Sequence, residues 1–462
     1  MSRELLLRPL HELASLLEKR EISSEELVRA TIERTEAIDP KLNSYITFVP
    51  EPALGEARIR DRERARGEAK GPLHGVPASL KDVFDTVDVP TTAGARFLAG
   101  RRTSTDAEVT KRIRQAGCVL MGKSNLNKFA GGESGENPDF GDMRNPWNPN
   151  FSPSGSSGGS AVQVATGMAA FSVGSDNGGS IRNPAAVCGI VGLKPTHTRI
   201  STDGMFPRAY SVDHAGPLTR TVRDAAMVLK ILAGAREGET TAARREVDDY
   251  TARLTESVSG LSVGVDRDLV RVGERPVLTI FEAALAKLAE IGLEIVEVDL
   301  PAPEEMMPLM YTIFFCEWGV AHEPWMREHP EEYDSGSRAA LLIPAADYLK
   351  AQQQRRLLQM RFARAMKDVD LLASPTYPIV RREHRRLPVV SGRRFTLDDA
   401  LRYTMPYDLM GLPAISIPSG FASPDAPVGL QLAGRAFQEA VVLQAAHAYE
   451  QATEWHERHP AI

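Results

Sequence analysis

The sequence is poor in cysteine and has no long apolar run. Three cysteines in 462 residues, Cys118, Cys188 and Cys316, are too few and too scattered for a disulfide framework or a cysteine-based zinc site. A reducing cytoplasm is the simplest compartment. No stretch of 18 or more apolar residues occurs, so no membrane span is expected. The first residues carry charges at Arg3, Glu4 and Arg8 with no apolar core behind them, so no signal peptide is expected. One-sided charge is absent too. The 55 Lys and Arg stand against 61 Asp and Glu, a net charge of -6, without the clustered basic footprint of a nucleic-acid binder. The ten histidines are scattered and form no H-E-x-x-H, so neither a metal nor another cofactor is expected.

What remains is ordinary for a globular protein: 42% apolar and 25% charged residues. There is no solenoid repeat and no long linker. Ser23 and Glu26 make a capping box ahead of a helical run from Leu27 to Ala37. Residues Glu56 to Lys70 read as a solvated helix. Leu261–Val265, the helical face Leu278, Phe281, Leu285 and Leu288 ending at Gly292, and the alternating Leu293–Leu300 form a β-α-β unit, hence part of a parallel sheet. Further strands are expected at Val369–Ala373, Ala414–Pro418 and Val428–Leu432, and a closing helix at Glu439–Thr453. Strands spread from end to end, which predicts one large α/β domain. The helical stretch Met306–Lys367 is a candidate cap beside a substrate entrance, with extra core helices as the plain alternative.

Two motifs tempt and fail on context. Gly117–Ser124 fits G-x-x-x-x-G-K-[ST], but Cys-Val-Leu-Met between its glycines reads as a buried strand, not as a loop around phosphate. Gly155–Gly159 fits G-x-S-x-G with Ser157 in the nucleophile slot, but three prolines precede it where a nucleophile elbow needs a strand.

Two glycine-serine clusters, S-P-S-G-S-S-G-G-S (Ser152–Ser160) and G-S-D-N-G-G-S-I-R (Gly174–Arg182), lie close together with no histidine between them. A linker is the plain reading, and it fails on context, because the small-residue helix Ala161–Gly167 and the strand Ala169–Val173 lie between them. Asn177, Gly178 and Gly179 can lay successive N–H groups around an oxyanion, and Ser180 heads an apparent helix. A serine there needs a base. A free lysine has a pKa of about 10.4, and bringing it to about 7–8 takes roughly 4 kcal/mol of burial or like-charge pressure. Lys81, inside the strand-like G-V-P-A-S-L-K-D-V-F, is the upstream candidate.

At these residues the chain resembles the amidase signature family. The resemblance rests on Gly75–Val83, Pro153–Ala161, Gly174–Ala185 and Cys188–Thr196, with further family-like stretches at Asp213–Ala226, Met410–Gly420 and Pro427–Arg435, and it covers nearly the whole chain. It implies a Ser-cisSer-Lys triad: Ser180 as nucleophile, Ser156 as bridging serine after a cis bond from Gly155, and Lys81 as base, with Asn177, Gly178 and Gly179 holding the oxyanion and Asp176 and Arg182 bracing them. The separations, 75 residues from Lys81 to Ser156 and 24 from Ser156 to Ser180, agree with the family. The implied fold is a single domain over residues 1–462, a mixed, mostly parallel sheet covered by helices on both faces. N-terminal helices would take about 1–70, the signature core about 71–235, and a sheet portion with a helical substrate entrance about 236–462. Ser154, Asn177 and Asp408 depart from the family's usual Gly, Thr/Ile/Gln and Asn.

The expected substrate is a small-molecule amide or carbamate, bulky or aryl, admitted beside Gly131 and Gly132, with Arg199 (and His197) bordering the pocket. The expected assembly is a monomer or homodimer. The alternatives are the glutaminase subunit of a tRNA-dependent amidotransferase and a P-loop nucleotide-binding protein.

Overall fold

A computed structural model describes residues 3–386, 388–390 and 393–462; residues 1–2, 387 and 391–392 of the expected single domain lie outside the described residues. The strands in chain order are β1 (Tyr45–Phe48), β2 (Pro77–Lys81), β3 (Val119–Ser124), β4 (Phe171–Asp176), β5 (Val191–Lys194), β6 (His214–Thr219), β7 (Ser262–Val265) and β8 (Glu294–Glu297). Then follow β9 (Leu371–Pro375), the short β10 (Val389–Val390) and β11 (Arg393–Arg394), β12 (Ala414–Ser423) and β13 (Ala426–Gly434). All but β10 and β11 join one eleven-stranded sheet in the order β1-β3-β2-β4-β6-β5-β12-β13-β9-β7-β8.

The sheet is mixed, and its parallel pairs fall in two blocks, β3-β2-β4 and β8-β7-β9. The strands between them, and β1 at one edge, pair antiparallel. The expected β-α-β unit is the second block: β7, the helix Arg275–Glu290 and β8. β8 is shorter than the alternating Leu293–Leu300 suggested, because it is an edge strand with one neighbour. Helices flank the sheet, with Gly158–Thr166 against β4, Arg182–Cys188 against β5 and β13, and Glu439–Gln451 against β12.

Side-chain patterning explains the central strands. β2, β3, β4, β5 and β6 are buried along their whole length, as strands covered on both faces must be. The capping box at Ser23 and Glu26 opens the helix Ser24–Leu42. The charged helix ends at Ala65, and its Ala53 and Ala57 are buried, so it is docked on one side rather than solvated all round. Among the described residues no helix is long and apolar enough to cross a membrane.

One irregularity in β2-β3 positions the site. Ala78 pairs with Leu120, but Ser79 pairs with Gly122, so Met121 is skipped. Lys81 therefore pairs with Ser124, and Lys123 with Leu80. Gly122 has φ +149°, and a Cβ there would lie 2.1 Å from the Thr47 carbonyl oxygen of β1, so no larger residue fits.

Candidate active site

β2 ends at Lys81, and its fully buried side chain runs to the first glycine-serine cluster. Lys81 Nζ lies 2.7 Å from Ser156 Oγ, 2.9 Å from Ser175 Oγ and 3.4 Å from the Ser175 carbonyl oxygen. No carboxylate forms an ion pair with it among the described residues. Burial first, then the charge of Arg208, holds Lys81 well below the usual lysine pKa, against the pull of Asp176 and Asp213. A neutral amine facing a hydroxyl can accept its proton.

The bond from Gly155 to Ser156 is cis. Ser154, two residues before Ser156, has φ +61°, a conformation in which glycine is the unstrained choice. That gives a backbone reason for the family's usual Gly at this position.

The second cluster follows β4 as a tight loop tied by one carboxylate. Asp176 accepts hydrogen bonds from the backbone N–H of Gly178, Gly179 and Ile181. This corrects the sequence expectation in part. The Gly178 and Gly179 amides are engaged by Asp176, and the Asn177 and Ser180 amides are those without a backbone or side-chain acceptor among the described residues. Gly179 has φ +133°, and a Cβ there would meet Thr404 Oγ1 at 2.3 Å. The Thr404 hydroxyl donates to the Gly178 carbonyl at 2.5 Å. The helix after the loop begins at Arg182, not at Ser180, so the serine owes its position to the loop. Ser180 is 8% exposed and lines a cavity of about 350 Å³. Its hydroxyl makes no hydrogen bond among the described residues.

Arg182 braces the loop. It is fully buried and donates to Asp176 through Nε and Nη2, to the Thr404 carbonyl and Gln431 Oε1 through Nη1, and to Asp408 Oδ2 at 2.6 Å. Burial pushes the Asp176 carboxyl up, but the Arg182 guanidinium and the backbone donors outweigh it and hold Asp176 far below the usual carboxylate range. Burial and the neighbouring Asp176 push Asp408 well above that range. The Arg182 guanidinium thus contacts two carboxylates held in opposite directions, Asp176 low and Asp408 high.

The cavity in front of Ser180 has a glycine wall and an aromatic wall. Gly131 and Gly132 line it. Met310, Phe314, Phe315 and Trp318 of the helix Pro303–Glu328 line it as well, so the 306–367 stretch borders the cavity as well as packing in the core. Arg199 does not line it. Its guanidinium is buried against the Tyr250 hydroxyl at 2.5 Å and the Glu246 carbonyl at 2.9 Å. His197 also lies outside the lining, with Nε2 3.2 Å from the Tyr210 carbonyl. Both follow the signature in sequence, but the chain turns away from the cavity after β5.

The two tempting motifs are structural. Val119–Ser124 is strand β3, and buried Lys123 pairs with Asp82 at 3.1 Å and donates to the Phe84 carbonyl, so no phosphate loop exists there. Ser157 precedes the helix Gly158–Thr166 without capping it through its side chain, and its hydroxyl donates to the Ser175 carbonyl at 3.1 Å.

Sequence reasoning missed Ser175, Arg208, Thr404, Gln431 and the aromatic wall. Met310, Phe314 and Trp318 repeat at helical spacing, a signal that reads as core packing.

Residues 26–443 match the family model Amidase. The chain is 42% identical to a glutamyl-tRNA(Gln) amidotransferase subunit of Moorella thermoacetica, over 98% of each chain. The solved peptide amidase of Stenotrophomonas maltophilia superposes with a TM-score of 0.86 at 31% identity, over 98% of each chain. A bacterial aryl acylamidase of the amidase signature family superposes with a TM-score of 0.89 at 25% identity, over 97% of this chain and 98% of that one. The name of the first relative includes a tRNA, where the charge distribution predicted no nucleic acid, and makes that protein a subunit, where a monomer or homodimer was expected.

Proposed function

The chain belongs to the amidase family and hydrolyses carboxylic amide C–N bonds, and from that premise we propose that it does so through an acyl-enzyme on Ser180. The 2.7 Å contact between buried Lys81 and Ser156 carries this reading. Neutral Lys81 takes the Ser156 proton as Ser156 takes that of Ser180. Ser180 Oγ attacks the amide carbon, and the Asn177 and Ser180 amides face the developing oxyanion. The relayed proton returns to the leaving nitrogen, the C–N bond breaks, and water cleaves the ester by the same relay. Asp176 and Arg182 hold the loop in shape. Of the expected domain limits, this reading uses the signature core of about 71–235, which carries Lys81, Ser156 and Ser180, together with the helical entrance within about 236–462.

For the substrate, the relatives favour the side-chain amide of glutamine, with ammonia as the released amine. The 42% match along 98% of both chains is the support for that choice. In this reading the chain works within a larger assembly, with partner subunits and tRNA as its context. A second reading, bulky or aryl amides and carbamates, is favoured by the aromatic side of the cavity and by the absence of side chains at Gly131 and Gly132. The deciding experiment measures ammonia from glutamine and 4-nitroaniline from short-chain 4-nitroanilides, with wild type, Ser180→Ala and Lys81→Ala. Faster turnover of glutamine supports the first reading and faster turnover of anilides the second. Undiminished turnover by Ser180→Ala rejects the nucleophile.

A further inference from the structure

Arg208 stands in the wall of the cavity that holds Ser180 and makes no ion-pair contact among the described residues. The other charged groups lining the cavity have assignments. Lys128 pairs with Glu332 and Asp139. Glu133 accepts from Arg382 and from the Tyr377 hydroxyl. Asp334 caps a helix through the Ser337 N–H at 2.7 Å. Arg208 forms no ion pair among the described residues. Nη1 makes one long hydrogen bond, 3.4 Å, to Asn177 Oδ1. Nε is buried with no partner, and Nη2 makes no hydrogen bond among the described residues.

The surroundings hold this guanidinium in place, and the Asp213 carboxylate acts on it by charge without an ion-pair contact. Its backbone N–H donates to Asp213 Oδ2 at 3.1 Å, and the neighbouring Pro207 carbonyl lies 3.1 Å from His322 Nε2 of the helix Pro303–Glu328. The Phe314 ring lies 4.4 Å from the guanidinium carbon. Asn177 joins this group to the nucleophile loop: its Oδ1 accepts from Arg208 and its Nδ2 donates to Asp213. Asn177 also departs from the family's usual residue, so that departure and the unpaired arginine occur together. A Cβ at Gly131 would lie 3.9 Å from Arg208 Nη2.

A positioned, partly buried guanidinium with unused donors binds a planar carboxylate through two N–H groups. Resting on the amidase reading above, the geometry points to an amide substrate that itself carries a carboxylate, bound by Arg208 while Ser180 attacks the amide carbon. Arg208 then sets specificity by charge, and the aromatic wall accommodates the substrate's carbon skeleton. Arg208 also lowers the Lys81 pKa, so any substitution there disturbs the base as well. A test must therefore compare substrates within each variant.

The probes are glutaramate, the monoamide of glutaric acid, and glutaramide, in which a neutral amide replaces its carboxylate. The readout is the ratio of kcat/KM for the first over the second, in wild type, Arg208→Lys and Arg208→Met. The expected result is a ratio well above one in wild type, a fall of about tenfold to a hundredfold in Arg208→Met, the scale of losing a charge-assisted hydrogen-bonded pair, and partial rescue in Arg208→Lys. The same ratio in wild type and Arg208→Met overturns the inference, whatever happens to the absolute rates. Calorimetric binding of glutarate to the full-length Ser180→Ala protein, with and without Arg208→Met, separates this inference from the amidase reading. Arg208-dependent binding without turnover in the wild type keeps the carboxylate site and rejects the reading. Turnover with no glutarate binding and an unchanged ratio does the reverse.

Discussion

Lys81 and Lys123 are both fully buried, on neighbouring parallel strands, and their surroundings differ in one kind of group. Lys123 faces a carboxylate, Asp82 at 3.1 Å, with the Phe84 carbonyl and the Thr91 hydroxyl at 2.7 Å. Lys81 faces two hydroxyls and a carbonyl. Burial lowers both pKa values, but the Asp82 charge opposes the shift at Lys123, whereas at Lys81 the Arg208 charge adds to it. Hydrophobic packing buries both amines. A carboxylate in contact, present at Lys123 and absent at Lys81 among the described residues, decides whether the result is a salt bridge or a base.

The widest separation of the two should appear in turnover. Lys81→Ala and Ser180→Ala should each lose roughly 10³-fold or more in kcat, as members of one relay do, with a melting transition that remains cooperative. Lys123→Met should act on stability instead. It leaves Asp82 buried without its partner, at a cost of about 3–5 kcal/mol, which urea unfolding would measure. The double change Lys123→Met with Asp82→Asn should recover part of that loss. Full activity in Lys81→Ala, or full stability in Lys123→Met, would break the comparison.

A smaller effect concerns pH. Only neutral Lys81 accepts a proton, so kcat/KM should fall as pH drops through its lowered pKa. Arg208→Met removes a positive neighbour, favours the protonated amine and should move that acid limb to higher pH. Lys123→Met should leave the limb nearly where it was. Profiles between about pH 5 and 10, spanning the range from a strongly lowered to an ordinary lysine, would show whether the two amines are independent. The smallest effect is expected at Gly131→Met, which touches neither lysine. The new side chain has little room, since its Cβ would lie 3.1 Å from the Lys128 carbonyl oxygen, and it points toward Arg208. Turnover of large anilides should fall several-fold more than that of small aliphatic amides, and equal losses would remove Gly131 from the specificity argument.

The residues legible in the sequence are those whose reasons are local. Lys81, Ser156 and Ser180 sit in glycine-serine and strand patterns that allow few other readings, and Asp176 and Arg182 lie within six residues of each other in one loop. The partners of Arg182 were not legible, because Thr404, Asp408 and Gln431 arrive from more than 220 residues away. Arg208 was hidden for another reason. An arginine in Phe-Pro-Arg-Ala-Tyr reads as a surface turn, and only the folded chain shows its Nε shut away from water. Arg199 erred in the opposite direction, since nearness to the signature in sequence does not carry past a strand end. Strand positions are legible, but their order is not, because β5 pairs with β12 and so joins Leu193 to Ile415 from distant parts of the chain.

The skipped residue at Met121 has a consequence for how this site is inherited. Paired residues of neighbouring strands point to the same face, so Lys81 shares a face with Ser124, and Lys123 lies on the other. Gln163 accepts from both Ser79 and Ser124 on the Lys81 side. Without the skip, Lys81 would stand opposite Lys123, two amines on one face. The sheet thus insulates one amine from the other by a difference in chain length. A substitution cannot supply or remove that difference, and deletion of one residue from β3 would reverse the faces of everything beyond it.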